Sequence, residues 1–183
     1  MKSGKLVFPR DFRGEGTDSA IKMSLSRFAS DGKLQRLGHG VYVVPTKNKG
    51  GRSAPSIEEI AKAIAKRESV RIIPTGKYAL YKLGLIAHPP TDLEYLTDGQ
   101  PRNILIGEST LIFKAATPKK FSLKGPISSL VILAMEEIGK ADITTEQLAA
   151  IKEKINNEDP AKMMADLEQA PAWIYNQLIK LKN

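Results

Sequence analysis

The sequence predicts an α+β protein in which an N-terminal winged helix-turn-helix is followed by a small α/β domain with a C-terminal run of helices. Three observations lead to this fold class. A helical pattern over residues 17–30 precedes a glycine-centred hairpin. Strand-like runs then alternate with helical segments as far as residue 115. From residue 126 onward the apolar periodicity is that of helices alone.

The first predicted helix begins after Thr17, whose side chain can accept a hydrogen bond from a free backbone N–H, and Asp18 favours the same end of the helix. Asp31 and Gly32 end it, because glycine readily adopts a left-handed conformation. The apolar positions recur on one face, as expected for a helix packed on a core. That face consists of Ile21, Leu25, Phe28 and Ala29.

A basic hairpin follows that helix. The runs KLQRL (33–37) and VYVV (41–44) alternate polar and apolar residues on either side of Gly38-His39-Gly40, so they predict an antiparallel ribbon. Both glycines are expected to permit positive φ at its tip. In front of the helix, FPRDF (8–12) predicts a short helix or turn. Together these features are typical of the end of a winged helix-turn-helix.

The rest of the chain predicts a mixed region and then helices. Ser56 can begin a helix with Glu58 and Glu59 in its first turn, and the strand-like VRIIP precedes a helix that ends near Gly84. Three strand-like runs follow, at 93–99, 102–107 and 109–115. Helices are then predicted over 126–138, from about Thr144 to Ile155, over 160–169 and over 171–182.

A polar, basic and glycine-rich stretch divides the chain. It lacks apolar periodicity and therefore indicates a linker. The predicted organisation is a winged-helix DNA-binding domain over residues 1–47, a linker over 48–56, and an α/β interaction domain with a helical C-terminal part over 57–183.

Composition excludes several classes of protein. The chain has no cysteine, so disulfides and thiolate metal sites are impossible. Its longest apolar run, around residues 130–135, is much shorter than the roughly 20 residues that cross a bilayer. The basic N-terminus has no apolar core of signal-peptide length. A cytoplasmic protein with no membrane partner is the expectation.

The net charge of +8 is concentrated at the start of the chain. Residues 1–53 contain 11 Lys and Arg against 4 Asp and Glu, a balance of +7. Residues 54–139 balance at +2 and residues 140–183 at −1. A concentrated positive charge favours an N-terminal module that binds a polyanion. A solvated basic surface with no partner is the alternative.

The exposed face of the first helix suits DNA. The second helix of a helix-turn-helix lies in the major groove, where short polar side chains together with Lys22 and Arg27 can reach base edges or phosphates. Cations outside the helix would hold the register on the DNA backbone. The candidate DNA-binding residues are Arg10, Arg13, Thr17, Ser19, Lys22, Ser26, Arg27, Lys33, Arg36 and His39.

No catalytic, metal-binding or cofactor-binding site is predicted. His39 and His88 stand alone in loops, whereas a catalytic triad needs a nucleophile, a base and an orienting group. PTGKYAL (74–80) is similar to the end of a phosphate-binding loop, but the first glycine of that motif is missing. A metal-dependent nucleic-acid enzyme is left as an alternative. Its candidate ligands are Asp92, Glu94 and Asp98.

These motifs together resemble a known family. The chain is similar to AbiEi-type antitoxins and to a related winged-helix family of Bacteroidetes toxin–antitoxin systems. The matching stretches are VFPRDF, AIKMSLSRFASDGKLQRLGHGVYVVP, IAKAIAKRESVRIIPTGKYALYKLGL, YLTDGQPRNILIGESTLIFKAA and LVILAMEEIGK. The resemblance covers about residues 7–140.

The resemblance implies an antitoxin with an N-terminal DNA-binding domain and a C-terminal antitoxicity domain. Such a protein represses its own operon and counteracts a nucleotidyltransferase-like toxin, without a stable complex between the two. Tyr42 would pack in the core of the wing. The operator contacts that the resemblance implies are the helix residues Ser19, Lys22, Ser26 and Arg27 and the wing residues Arg36 and His39.

One feature departs from the family. Its members have a further helix before the VFPRDF block, whereas only about seven residues precede that block here. Either the start is truncated and this helix is lacking, or the domain is closed by a downstream helix or a second subunit. A monomer and an oligomer are both compatible with the sequence.

Two functions of different classes follow from the sequence. The first is a DNA-binding transcriptional regulator, the antitoxin of a toxin–antitoxin operon, without enzymatic activity. Its partners would be its own double-stranded operator DNA and a cognate nucleotidyltransferase-like toxin. The alternative is a protein- or RNA-binding interaction module that neutralises a partner directly, without operator binding.

Overall fold

The computed structural model describes residues 4–45 and 55–182. Of the predicted linker, residues 48–56, only Pro55 and Ser56 fall within the described residues. Helices and strands occur in both described ranges, which confirms the predicted α+β class. Among these residues, none of the helices combines the length and the apolar character that crossing a membrane requires.

The described residues form seven strands, seven α-helices and two 3-10 helices. The strands are β1 (Leu6–Val7), β2 (Gln35–Gly38), β3 (Val41–Val43), β4 (Ile72–Pro74), β5 (Leu93–Thr97), β6 (Arg102–Ile106) and β7 (Ser109–Ala115). The α-helices are α1 (Asp18–Ser30), α2 (Ile57–Glu68), α3 (Gly76–Leu83), α4 (Pro126–Ile138), α5 (Thr145–Ile155), α6 (Pro160–Leu167) and α7 (Ala172–Lys182). The 3-10 helices are Pro9–Phe12 and Lys120–Ser122. Each predicted helix and strand after Thr17 has a counterpart among them.

Two compact units alternate along the sequence. The first consists of Met1–Val70 with Asn103–Leu111, and the second of Arg71–Arg102 with Ile112–Asn183. Helix α2 therefore belongs to the first unit, whereas the sequence assigns it to a second domain. Compactness does not test independent folding, so the predicted domains over 1–47 and 57–183 stay a prediction.

Helix α1 begins and ends where the sequence predicts. The Thr17 hydroxyl oxygen accepts a hydrogen bond from the backbone N–H of Ala20 at 3.2 Å. Gly32, with a φ of 69°, follows the last turn in the left-handed conformation. Leu25 is buried as expected, but Phe28 on the same predicted face is 44% exposed. The core face of α1 is therefore narrower than the sequence suggests.

The hairpin predicted after α1 is confirmed and is part of a larger sheet. Strand β3 pairs antiparallel with β1 on one side and with β2 on the other. Strand β2 also pairs with β6, where Gly38 lies opposite Ile106. Within the first unit the strand order is β1-β3-β2-β6. The predicted two-stranded hairpin therefore pairs with β1 along one edge and with β6 along the other.

Strand β3 is covered on both faces. Tyr42 belongs to the apolar cluster beneath α1, together with Val7, Ile21, Leu25 and Leu34. Successive side chains of a strand point to opposite faces, so Val41 and Val43 lie on the other side of the sheet. Both are buried as well. The predicted core role of Tyr42 is confirmed.

The downstream helix α2 contacts the start of the chain. The Arg67 guanidinium lies 4.4 Å from the centroid of the Phe8 ring, and its terminal nitrogen donates to the Leu6 carbonyl at 3.5 Å. Ser56 begins α2 by accepting a hydrogen bond from the backbone N–H of Glu59, as the sequence predicts. A downstream helix therefore packs near β1, which is one of the closures anticipated from the sequence.

The two glycines of the hairpin tip are required for different reasons. Gly40 has a φ of 69°, in the left-handed region that the sequence predicts. Gly38 has no positive φ, so that prediction is wrong for Gly38. A Cβ at Gly38 would instead collide with the carbonyl oxygen of Leu105 and lie 2.7 Å from Cδ1 of Ile106. Close approach of β6 therefore demands glycine there.

The second unit places a helical core beside a small sheet. Its strand order is β7-β5-β4, and β4 pairs antiparallel with β5. Helix α4 buries six of its 13 residues and packs in one apolar cluster with residues of α3, α5, α6 and α7. The buried members of α4 in that cluster are Val131, Ile132, Ala134 and Met135.

Two buried carboxylates close the start of α4. Asp166 accepts hydrogen bonds from the backbone N–H groups of Lys124 and Gly125, at 2.6 and 2.8 Å. It also accepts one from the Ser128 hydroxyl at 2.5 Å. Glu158 accepts from the backbone N–H of Ser128 at 3.0 Å. Helix α4 thus satisfies its free N–H groups with side chains from distant residues rather than with a neighbouring cap.

Candidate nucleic-acid interface

The outer face of α1 is polar and exposed. Ile21 and Leu25 attach the helix to the sheet, and residues on the other side of the helix therefore face solvent. Met23, with 55% of its surface exposed, is the one large apolar residue among them. The exposed residues of this outer face are Ser19, Lys22, Met23, Ser26, Arg27 and Ser30.

Four cations of the N-terminal unit are free to meet an external anion. Arg10 and Arg13 lie on and directly after the first 3-10 helix, and Lys22 and Arg27 lie on α1. All four are exposed, and their side chains form no ion pair with any described residue. The 3-10 helix that carries Arg10 contacts α1, which carries Lys22 and Arg27. Concentrated unpaired positive charge favours association with a polyanion in general.

Asp11 does not neutralise the arginines on either side of it in the sequence. Its carboxylate accepts two hydrogen bonds from Arg67, at 2.5 and 2.8 Å, and one from the backbone N–H of Phe8 at 3.0 Å. Burial acts to raise the pKa of Asp11, but these hydrogen bonds and the Arg67 charge outweigh burial and hold the pKa below its ordinary value. The Asp11 carboxylate is therefore paired with Arg67 of α2.

The tip of the β2–β3 hairpin is short and lies close to the first 3-10 helix. A Cβ at Gly40 would lie 3.9 Å from Cδ of Pro9. His39 is exposed at this tip. The side chain of Arg36, also exposed, donates to the carbonyl of Gly38 at 3.4 Å. The structure therefore places His39 beside the element that carries Arg10, although the tip does not project as a long wing.

Thr17 and Lys33 have roles within the unit and remain exposed. Thr17 caps α1, which still leaves its hydroxyl proton available to donate. The Lys33 ammonium lies 3.5 Å from Oδ2 of Asp31 and 5.5 Å from the centroid of the Phe28 ring. An exposed ion pair of this kind is weak, so it leaves Lys33 able to exchange partners.

All ten predicted site residues are exposed, and they occur on α1, on its flanking turns, near the 3-10 helix and on the hairpin. Their contact with DNA stays a prediction. Met23 belongs to the same outer face but is absent from the sequence-based set. In the sequence, Met23 is an apolar residue next to Lys22 on a face that is otherwise polar. Because Met23 is exposed in the structure, it is accessible to an apolar group such as a thymine methyl.

Two of the three carboxylates that the sequence offered as metal ligands form ion pairs. Glu94 lies 2.5 Å from Nζ of Lys114, and Asp98 lies 2.7 Å from Nε of Arg71. Within residues 4–45 and 55–182, no group of three or more His, Asp or Glu residues is arranged to hold a metal ion. The alternative of a metal-dependent nucleic-acid enzyme therefore gains no support from Asp92 and its neighbours.

The start of α3 faces an acidic side chain. Gly76 begins the helix with a φ of 59°, and a Cβ there would lie 2.5 Å from Oε2 of Glu94. A carboxylate is favourable at the positive end of a helix, and it would repel a phosphate from the same place. This geometry agrees with the absence of a complete phosphate-loop motif in PTGKYAL.

Comparison with known proteins gives a family but no activity. No curated protein matches the chain. A model for a family of unknown function matches residues 1–163, a span that contains the outer face of α1, the hairpin and Glu158, whereas Asp166 lies beyond it. The resemblance to AbiEi-type antitoxins is not part of that match and stays a prediction. The chain belongs to the family DUF6088, whose function is unknown.

Proposed function

We propose that this chain binds double-stranded DNA through the outer face of α1 and regulates transcription of its own operon. The observation that carries the proposal is the set of four exposed cations without ion-pair partners in the described chain, Arg10, Arg13, Lys22 and Arg27. They lie within the first 53 residues, which hold +7 of the net charge of +8. Phosphate neutralisation by such cations supplies most non-specific affinity for DNA.

In this mode α1 lies in the major groove as the recognition helix of a winged helix, and the first 3-10 helix stands where a preceding helix would be. Lys22 and Arg27 are long enough to reach guanine edges or phosphates, while Ser19 and Ser26 offer short hydroxyl contacts. Met23 adds an apolar contact. The remaining predicted contacts, chiefly with phosphates, are Arg10, Arg13, Thr17, Lys33, Arg36 and His39.

The antitoxin part of the proposal is supported by the resemblance alone. On that basis the chain counteracts a nucleotidyltransferase-like toxin, and the second unit provides the antitoxicity. Co-expression with the product of the neighbouring gene tests this part. We expect the neighbouring product to arrest growth and the chain to relieve the arrest. Unrelieved arrest at equal expression contradicts the antitoxin role and leaves the DNA-binding role standing.

DNA binding is tested by fluorescence anisotropy with a labelled duplex from the region upstream of the chain's own gene and a scrambled duplex of equal length. We expect tighter binding to the upstream duplex and a steep loss of affinity with salt, because phosphate contacts release counterions. Equal affinity for both duplexes overturns the proposal that the chain regulates its own operon. Tighter binding to single-stranded or structured RNA would instead favour the alternative interaction module.

Variants locate the interface. Lys22→Ala and Arg27→Ala should each reduce the slope of log affinity against log salt by about one where the side chain contacts a phosphate. A base contact would instead lower affinity for the upstream duplex by about tenfold or more, with less effect on the scrambled one. The matched control is Lys152→Ala on α5, an exposed lysine of the second unit, which should change neither quantity.

A further inference from the structure

Two open apolar recesses flank Phe28 on the surface of the first unit. One, of about 170 Å³, is lined by Gly16, Ala20, Ile21 and Ser24 of the α1 region together with Phe12. The other, of about 290 Å³, is lined by Leu34, Val44 and again Phe12. Leu25 and Phe28 line both. Phe28 therefore forms a ridge between the two recesses, and the residue is 44% exposed.

An exposed apolar patch of this shape indicates a macromolecular contact rather than a small-molecule site. Small-molecule pockets bring several polar groups together around the ligand, whereas each recess here has a single charged residue at its end. An apolar patch of this kind on the surface of a unit marks a site of contact with another molecule.

Opposite charges mark the two ends of this patch. Glu15 lines the recess near the start of α1, and Lys33 lines the recess beyond the end of the same helix. The lining thus has a carboxylate at one end, apolar residues in the middle, and at the other end an ammonium group that also lies 3.5 Å from Oδ2 of Asp31. A partner with one sign of charge along its length would be repelled at one end. A partner with the reversed order of charges would match both.

We propose that the patch binds a second copy of this chain. A two-fold axis perpendicular to α1 brings two α1 helices together antiparallel, so Glu15 of each copy faces the partner subunit's Lys33. The Phe28 ring of each copy then enters a recess of the other. A two-fold contact requires that one patch be its own complement, and a surface with both ridge and recess and with opposite charges at its ends meets that requirement.

Sedimentation equilibrium of the full chain without DNA tests the proposal. We expect a reversible species of twice the 20.1 kDa mass of one chain. Phe28→Ala should raise the dissociation constant of this dimer about thirtyfold, because it removes the central apolar anchor of the contact. The matched control is Met23→Ala on the same helix, since Met23 is 55% exposed and lies outside both recesses, and it should leave the dimer unchanged.

Charge reversal tests the antiparallel arrangement and does not depend on the apolar core. Glu15→Lys and Lys33→Glu should each weaken the dimer about fivefold, because each change places like charges opposite one another at both ends of the contact. The double change E15K/K33E should restore the wild-type affinity. Additive weakening in the double variant overturns the arrangement. Far-ultraviolet circular dichroism of every variant shows that the fold is kept.

Two outcomes overturn the proposal outright: a chain that stays monomeric at all concentrations, and a Phe28→Ala variant that dimerises as tightly as Met23→Ala. Both are measured without DNA, so they are separate from the proposed function. A monomer that binds its upstream duplex overturns the second-copy contact alone. A dimer that binds no DNA overturns the DNA-binding proposal alone.

Discussion

Helices α1 and α4 have the same length but bury very different numbers of residues. Each contains 13 residues, but α1 buries only Ile21 and Leu25, whereas α4 buries six residues, five of them consecutive. A helix buried nearly all round is a core element, and one attached by a narrow stripe keeps most of its surface for solvent or a partner. Of the two helices, α1 in the N-terminal unit therefore has the larger exposed surface.

The beginnings of the two helices differ in the same way. Helix α1 is capped by Thr17, its immediate neighbour in sequence. Helix α4 begins at Gly125 and Pro126 without a local side-chain cap, and its free N–H groups bind Asp166 and Glu158 instead. The start of α1 is thus a local feature that survives changes elsewhere. The start of α4 depends on the packing of the whole helical part of the second unit.

The largest expected effect comes from removing the buried carboxylate at α4. Asp166→Ala should lower the free energy of unfolding by about 3 kcal/mol, because it leaves two backbone N–H groups and the Ser128 hydroxyl without their acceptor in a buried site. Urea denaturation followed by circular dichroism measures it. The exposed neighbour variant Glu168→Ala is the control and should change the stability by less than about 0.5 kcal/mol.

A wild-type-like Asp166→Ala protein would contradict the distinction drawn between the two helices. It would mean that water or a rearranged side chain replaces the carboxylate, and that α4 is no more dependent on distant residues than α1. Loss of stability in Glu168→Ala of the same size would mean that acidic residues act there through general charge rather than through hydrogen bonds.

The next largest effect concerns the sheet that supports α1. Gly38→Ala should lower the free energy of unfolding by about 2 kcal/mol, because its Cβ would overlap the Leu105 carbonyl on β6 and force the strands apart. Gly16→Ala is the control, since no atom lies within 4 Å of a Cβ at Gly16 and its φ is not positive. Equal stability of both variants would show that β2 and β6 separate without cost.

Sequence reasoning succeeded where the determinants are local. The Thr17 cap, the stop at Gly32 and the hairpin around His39 each depend on a few neighbouring residues, and all three were predicted. The pairing of β2 with β6 was not predicted, because it joins residues about 70 positions apart and leaves only one sign in sequence, the glycine at position 38. Glycine there suggested a turn conformation, whereas the structure uses it for close approach.

The candidate site shows the same division. Exposure of Lys22, Ser26 and Arg27 followed from helical periodicity, which fixes the face of a residue once the core face is known. The sequence could not predict that Asp11 forms no ion pair with Arg10 or Arg13. It depends on Arg67, which lies 56 residues after Asp11 and takes over its carboxylate.

A smaller effect is expected at Glu158, and it depends on pH. Burial acts to raise the pKa of Glu158, but hydrogen bonds from the backbone N–H groups of Ser128, Ile127 and Asp159 and the charge of Lys162 outweigh it, so the pKa lies below its ordinary 4.5. An acid with a lowered pKa stabilises the fold above its unfolded-state pKa and loses that contribution as the pH falls through the folded-state pKa.

Glu158→Gln should therefore destabilise the protein by about 1 kcal/mol near neutral pH, and the difference from wild type should shrink as the pH falls below about 4.5. Urea titrations at a series of pH values measure the difference. A difference in the free energy of unfolding that stays constant at every pH would show that the Glu158 side chain acts through its shape. A gap that widens in acid would contradict the sign of the pKa shift.

The smallest effect on stability is expected on the outer face of α1. Lys22→Ala and Arg27→Ala should each change the free energy of unfolding by less than about 0.5 kcal/mol, because both side chains are exposed and pair with no described residue. His39→Ala at the hairpin tip should behave likewise.

Urea denaturation of the three variants, run beside the anisotropy titrations, separates an effect on folding from an effect on DNA binding. A loss above about 1 kcal/mol in either cation variant would mean that the face is packed rather than free. Unchanged stability with weakened DNA binding is what a recognition helix requires, and no substitution within the buried stretch of α4 can give that combination.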